Sequence, residues 1–369
     1  MNSYHSAVAG IVSDVRDFFA KTFSSVSIDG PQLDPAFLNK NPLMLVSTHR
    51  SHADYFMLGY IFHLAGFNTI RFAAGDNLTN LPWIGQKFIS FGSFAVERDT
   101  GFDRHYVRNL CYRVVEMIED SQTVLVFPEG GRSYSGSMLE MKTGILGASI
   151  ISQAKDLSRD VRYIPVAISY EHAPDIPWFS MQLAGKKWRK KSNFILKRLI
   201  GSLMYFGADA FSFIPFLLMQ YLRKGYYGTV YIDYGEPVAL NSFLDVAAGK
   251  LEKARDEFSA HRNNMQQLSE TVFEQLYRLY RILPMHVVAA HLKAHPEATI
   301  KELAAGFPAV ISALGDKKRN TRQLEKLTPE RNAAEGVRQL VRIGAATFAK
   351  GTCSVKRKHL IEYYAATLA

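Results

Sequence analysis

Two spacings of apolar residues divide the first 240 positions. Continuous runs at residues 43–46, 123–127 and 162–170 are short and bounded by turn-forming residues, as expected for strands buried on both faces of a sheet. Between them, Phe56, Met57, Tyr60, Ile61 and Leu64 keep helical spacing, as do Leu110, Cys111, Val114, Val115 and Ile118, and residues 144–154 read as a third helix. Shorter runs at residues 69–74, 94–98 and 231–234 read as further strands. This alternation predicts an α/β fold: a mainly parallel sheet with helices on both faces. In residues 1–23, Val8, Ile11, Val12, Val15, Phe18 and Phe19 predict an amphipathic helix, while Asp14, Arg16 and Asp17 interrupt any signal-peptide core. Residues 24–41, with two prolines and a glycine, read as a loop into the first strand. From residue 251 the pattern becomes long and helical, notably at 269–283 and 285–294, and the charge-rich stretch 317–331 reads as an exposed helix or loop. The expected organisation is an N-terminal amphipathic helix in 1–30, an α/β domain over 31–250 and a helical C-terminal region over 251–369.

Composition adds charge to this picture. Forty-four Lys and Arg against 34 Asp and Glu give a formal +10, which favours an anionic partner: a lipid surface, a phosphorylated substrate, an acidic protein or nucleic acid. No nucleic-acid recognition motif or aromatic interleaving accompanies the charge, so nucleic acid is not expected among the partners. Residues 186–198 hold seven basic residues and no acidic one, and residues 199–222 follow with Asp209 as their single formal charge. That second stretch is long enough to span a bilayer, yet Gly201, Gly207, Pro215 and Asp209 break it, favouring a re-entrant or interfacial hairpin. A basic block beside an apolar one predicts a membrane-associated segment on an anionic surface. The two cysteines, Cys111 and Cys353, are too few for a disulfide framework and read as structural residues of a reducing compartment.

Candidate chemistry is concentrated in two turns. His49-Arg50-Ser51-His52-Ala53-Asp54 lies between a predicted strand and a predicted helix, so a histidine before the helix can meet an aspartate in its first turn. Asp54 would then fix the imidazole tautomer and leave the other nitrogen as a general base toward a hydroxyl. The same placement also suits a histidine that caps the helix and an aspartate at its positive end. The second turn, Pro128-Glu129-Gly130-Gly131-Arg132-Ser133, offers close backbone approach at its glycines and a planar fork for phosphate at Arg132. Arg98, at the end of a predicted strand, is a further candidate anion ligand. Residues 136–143 miss a phosphate loop because Met141 stands where the second glycine belongs. Residues 131–135 lack the closing glycine of a nucleophile elbow. His49 and His52 have no further ligands at metal-binding spacing, so no metal is expected.

Together these blocks resemble the glycerolipid acyltransferases. The His49-to-Asp54 stretch is similar to their histidine–four residues–aspartate (HX4D) block, and Phe127 to Ser133 to their acceptor-binding block; residues 92–98 and 164–172 match the second and fourth blocks. Tyr170-Glu171-His172, Gln182-Leu183-Ala184-Gly185-Lys186 and Tyr234-Gly235-Glu236-Pro237 point to the bacterial membrane glycerol-3-phosphate acyltransferase branch, over about residues 40–290. The family's two-arginine ending of the second block is here Glu97-Arg98. The resemblance implies a general base at His49 oriented by Asp54, with Arg98, Glu129, Gly130, Gly131, Arg132 and Ser133 at the acceptor. It implies acyl transfer from acyl-CoA or acyl carrier protein, with no resident cofactor, to the sn-1 hydroxyl of glycerol-3-phosphate. Lysophosphatidate is the alternative acceptor. It also implies the cytoplasmic face of the inner membrane, by peripheral or monotopic attachment.

Overall fold

The computed structural model describes residues 16–67, 70–75, 89, 92–96, 104–176, 224–244 and 257–369. Its main sheet has eight strands: β1 (Ser25–Asp29), β2 (Leu43–Ser47), β3 (Ile70–Gly75), β4 (Ser93–Val96), β5 (Thr123–Val126), β6 (Arg162–Tyr170), β7 (Thr229–Tyr234) and β8 (Val238–Ala239). Seven lie in the order β1-β7-β6-β2-β5-β3-β4, and β8 pairs with β6. Every pairing is parallel except those of β6 with β7 and with β8.

Helices α1 (Asp54–Leu64), α2 (Arg104–Glu119), α3 (Thr143–Lys155) and α4 (Arg262–Leu279) cover the sheet. Side chains of successive strand residues point to opposite faces, and the apolar residues divide accordingly. Leu43 and Leu45 of β2, Leu125 of β5 and Ile164, Val166 and Ile168 of β6 share a cluster with Met57, Leu58 and Phe62 of α1. Met44, Val46, Val124, Val126 and Tyr163 face the other way, against α2, α3 and α4. The two middle strands, β2 and β5, therefore send their following helices to opposite faces. Such neighbours form a topological switch point, where open parallel sheets leave a crevice beyond the carboxyl ends of their strands. The loops bearing His49 and Glu129 leave the sheet at this crevice.

The first apolar cluster continues into α5 (Pro284–Ala294), α6 (Ile300–Asp316), α7 (Pro329–Arg342) and α8 (Lys358–Ala365). Three short strands lie among them, β9 (Glu297–Thr299), β10 (Ala346–Ala349) and β11 (Thr352–Val355), as an antiparallel sheet in the order β10-β11-β9. Helix, strand, two helices and a hairpin whose second strand pairs back to the first is the topology of a winged helix.

Two readings need correction. Residues 24–41 are not a plain loop: Ser25–Asp29 pairs in parallel with β7 at the sheet edge, and Pro35–Leu38 forms one helical turn capped by Asp34. The N-terminal helix occupies residues 16–22 of the described chain and does not reach residue 30. The C-terminal region is helical as expected but also holds β9–β11, whose strands of three or four residues are too short to show a period. The membrane-associated segment 199–222 and its basic block lie outside the described residues.

Two histidines are enclosed by this packing. His172 sits among Tyr226 and Tyr227, and burial, reinforced by Arg342, depresses it to about 3. His286 lies between Tyr280 and Tyr364, and burial, with Arg319 and Arg50 nearby, also depresses it to about 3. Between the unfolded value near 6.5 and 3, the unfolded chain binds protons that the folded chain refuses, so stability falls as pH falls. Each histidine adds a slope of up to about 1.4 kcal/mol per pH unit in that window. Urea titrations at pH 7, 6 and 5 should show this loss, and His172→Phe should remove one histidine's share of it. An unchanged slope in the variant would contradict the assignment.

Candidate active site

The first candidate loop is built on the end of β2. The Thr48 amide donates to the Val166 carbonyl and the Thr48 hydroxyl accepts from the Ile168 amide, so β6 carries the loop past the sheet. The Asp54 amide then donates to the Ser51 carbonyl, and α1 begins. Asp54 is fully buried, yet its carboxylate is surrounded by donors. Its Oδ2 accepts from the Arg50 amide at 2.6 Å, the Ser51 amide at 2.9 Å and His49 Nδ1 at 2.9 Å, and its Oδ1 accepts from the Tyr170 hydroxyl at 2.6 Å. A carboxylate facing only donors requires the proton on Nδ1, which leaves the Nε2 lone pair as a base. Burial, then the Asp54 charge, raises Tyr170 well above its ordinary value, so it remains a neutral donor. The His49 ring stacks on Phe127 at 4.2 Å and keeps 14% of its side chain exposed, whereas Asp54 is closed off. The expected meeting of His49 and Asp54 is present in the geometry, with the imidazole partly exposed and its partner buried.

The second loop, after β5, is fastened to the first. Glu129 accepts from the His49 amide at 3.1 Å and the Leu139 amide at 2.9 Å, and both its oxygens accept from Arg50 Nη1 at 3.0 Å. Burial, the largest single influence, would lower Arg50, but the Glu129 charge and hydrogen bond together with Tyr280 and Tyr363 outweigh it and raise the guanidinium. Glu129 is thus the residue that orients an arginine, and that arginine is Arg50. The Ser133 amide donates to the His49 carbonyl at 3.3 Å, completing the seam between loops. The Ser133 hydroxyl donates to the Ser137 carbonyl at 2.6 Å and accepts from the Gly136 amide at 3.1 Å.

The glycines of this loop differ. Gly130 has φ +69°, and a Cβ there would stand 2.7 Å from Lys142 Nζ. At Gly131 a Cβ would meet nothing within 4 Å, so its open side is not packed against the described chain. Arg132 is buried, with Nη1 3.3 Å from Asp175 Oδ1, and Asp175 Oδ2 accepts the His52 amide at 2.7 Å. Of the anion ligands expected from sequence, Arg132 is therefore tied into the wall by an acid. Arg98 and Glu97 lie outside the described residues, which resume after Val96 only at residue 104. The structure adds four residues that sequence reasoning did not assign: Arg50, Tyr170, Asp175 and Lys142. Arg50 was quoted within the first block but its partner stands 79 residues away. Tyr170 reaches Asp54 because β6 lies beside β2, information that strand pairing alone provides.

Comparison with known proteins bears on this geometry. A family model described as Acyltransferase matches residues 27–169, spanning both loops, and one described as Glycerol-3-phosphate acyltransferase C-terminal region matches residues 212–351. Over these residues the chain is similar to glycerol-3-phosphate acyltransferases. The glycerol-3-phosphate acyltransferase of Alteromonas mediterranea is 32% identical over 207 residues, 56% of this chain and 23% of that protein. That of Shewanella pealeana is 30% identical over 230 residues, 62% of this chain and 26% of that protein. The chain matches about a quarter of the length of these acyltransferase relatives. Among solved structures, a 1-acyl-sn-glycerophosphate acyltransferase from Thermotoga maritima aligns with 71% of this chain and 78% of its own at 17% identity and a TM-score of 0.35. A likeness that distant bears on neither fold nor acceptor.

Breaking the Arg50–Glu129 junction from one side leaves a charge buried and unpaired. Glu129→Ala should cost roughly 3–5 kcal/mol of folding free energy, read from urea unfolding. The paired apolar change Arg50→Met with Glu129→Leu should recover much of that stability while leaving His49 without its amide acceptor. A loss below about 1 kcal/mol for Glu129→Ala would show that the pair is not buried as described.

Proposed function

We propose that this chain transfers an acyl group from an acyl thioester to the sn-1 hydroxyl of glycerol-3-phosphate, giving lysophosphatidate. The observation that carries this reading is the 2.9 Å contact of His49 Nδ1 with a fully buried Asp54, which leaves Nε2 as the base at the open end of the sheet. Nε2 takes the hydroxyl proton as the acceptor oxygen attacks the thioester carbonyl; the carbon–sulfur bond then breaks and the thiolate leaves with that proton. Asp54 favours the imidazolium that forms between these steps. No covalent enzyme intermediate and no resident cofactor is required by the scheme. The thioester is that of coenzyme A or acyl carrier protein.

Arg98 and Arg132 receive the acceptor phosphate in this reading, Gly130 and Gly131 give it room, and Ser133 shapes the loop that holds it. The basic residues 186–198 and the apolar residues 199–222 hold the enzyme at the cytoplasmic face of an anionic inner membrane. Among the described residues no helix is long and apolar enough to cross a membrane. One observation favours a second acceptor: Glu97 stands where relatives of the glycerol-3-phosphate branch resemble one another in having arginine, and lysophosphatidate would share every other block.

The deciding assay is acyl transfer with glycerol-3-phosphate and lysophosphatidate offered separately. His49→Ala should abolish turnover with the fold intact, and Asp54→Asn should be severely impaired. Arg98→Ala or Arg132→Ala should raise the acceptor KM about tenfold or more, each removing a charge-assisted contact worth roughly 1.5–3 kcal/mol, with little change toward the donor. His49→Ala retaining most of its turnover would refute the mechanism, and preference for lysophosphatidate would reassign the acceptor.

Charge reversal at Lys186, Lys187, Lys190 and Lys191 should weaken binding to anionic liposomes in a salt-sensitive manner. Equal binding by the reversed variant at low salt would remove this block from the membrane surface.

A further inference from the structure

The turn that follows α8, residues Ala366–Leu368, reaches the acceptor loop directly. The Thr367 hydroxyl donates to the Gly136 carbonyl at 3.3 Å, and the Ser137 hydroxyl donates to the Ala366 carbonyl at 3.3 Å. Between these two bonds the backbones touch: Gly136 has φ +88°, and a Cβ there would lie 1.9 Å from the Tyr363 carbonyl oxygen. Only glycine lets the loop rest against α8 in this way. The turn is itself anchored, since Arg319 Nη2 donates to the Thr367 carbonyl at 3.0 Å, and Leu360, Ile361 and Tyr364 of α8 are buried.

Gly136 and Ser137 are bound in turn to Ser133, whose amide holds the His49 carbonyl. On the other side of the same seam, Tyr363 and Thr367 share a small cavity with Arg50, whose guanidinium lies over the Tyr280 ring at 5.1 Å. The C-terminal turn therefore bonds directly to the loop of residues 133–137 and shares a cavity with Arg50 of the Arg50–Glu129 pair. It does so from residues 363–367, which lie outside both regions matched by the family models.

We infer that Thr367 is a positioning residue for acyl transfer: through its hydrogen bond to Gly136 it holds the 133–137 loop in the conformation that receives the acceptor. This rests on the reading of that loop as acceptor-binding given above. The inference predicts an effect on the acceptor KM, because the bond fixes the loop and makes no contact with His49 itself.

Thr367→Val keeps shape and removes the donor, whereas Thr367→Ser keeps the donor; Ser137→Ala removes the reciprocal bond. Thr367→Val and Ser137→Ala should raise the acceptor KM roughly threefold to tenfold with kcat and donor KM unchanged, and Thr367→Ser should behave as wild type. Hydrogen exchange on the same proteins should show amides of residues 133–139 exchanging faster in Thr367→Val and not in Thr367→Ser. Unchanged acceptor KM and unchanged exchange in Thr367→Val would overturn the inference, as would equal losses in the Val and Ser variants or a change confined to the donor. Should the wild-type chain acylate neither acceptor, the functional reading fails, and the exchange comparison still decides whether Thr367 holds the loop.

Discussion

One buried ion pair determines whether this molecule has a site at all. His49 and Glu129 leave the sheet on different strands, and nothing in the sheet itself obliges the two loops to keep a fixed separation beyond their last ladder bonds. Arg50 and Glu129 supply the obligation, with one nitrogen shared by both carboxylate oxygens at 3.0 Å and the same carboxylate accepting the His49 amide. Buried pairs of this kind are poor devices for stability, because desolvation offsets most of their attraction. They are good devices for position, since neither partner can leave without stranding the other. His49 is therefore fixed twice: its ring by Asp54, and its backbone by Glu129.

The helical C-terminal region belongs to this arrangement rather than standing apart from it. Helix α4 closes one face of the sheet, while α5 to α8 extend the apolar cluster of the other. Within the winged-helix topology, α7 occupies the place of the helix that nucleic-acid binders put into the major groove. Here Arg342 of that helix pairs with Glu171 at 3.5 Å, just beyond the end of β6, so its last turn is committed to the α/β domain. Residues 284–358 carry fourteen Lys and Arg against six Asp and Glu, a net +8 of the chain's +10. A charge concentrated in one module gives it a positive field toward anionic partners.

Much of the α/β architecture was legible because burial on both faces leaves an unmistakable record. β2, β5 and β6 read as continuous apolar runs, and β6 has the boundaries the run predicts. The His49–Asp54 contact was legible because both partners sit in one local turn. What escaped were features defined by distance along the chain. β1 is five residues long with three of them exposed, so it has no apolar signature; its identity comes from pairing with β7 some 200 residues later. Asp175 meets the His52 amide across 123 positions, and Thr367 meets Gly136 across 231. No local period records such contacts, because they arise from the register of β6 on β2 and from where α8 ends.

The charges around the crevice also constrain how an anion can bind. Arg50 is neutralised by Glu129, and Arg132 lies against Asp175, so neither guanidinium offers a whole uncompensated charge to a phosphate. An anion that approaches Arg132 weakens the hold of Asp175 on it, and Asp175 also accepts the His52 amide of the first loop. Anion binding at Arg132, as proposed, would thereby be coupled to the position of the loop that carries His49. Lys142 differs: it is exposed, it forms no ion pair among the described residues, and its ammonium reaches the space over Gly130. A mobile, strongly hydrated ammonium adds attraction without geometric demand, whereas a buried fork adds geometry at the expense of an existing contact. On the proposed reading, this region would combine a mobile cation at Lys142 with a fixed one at Arg132 whose partner also holds the His52 amide.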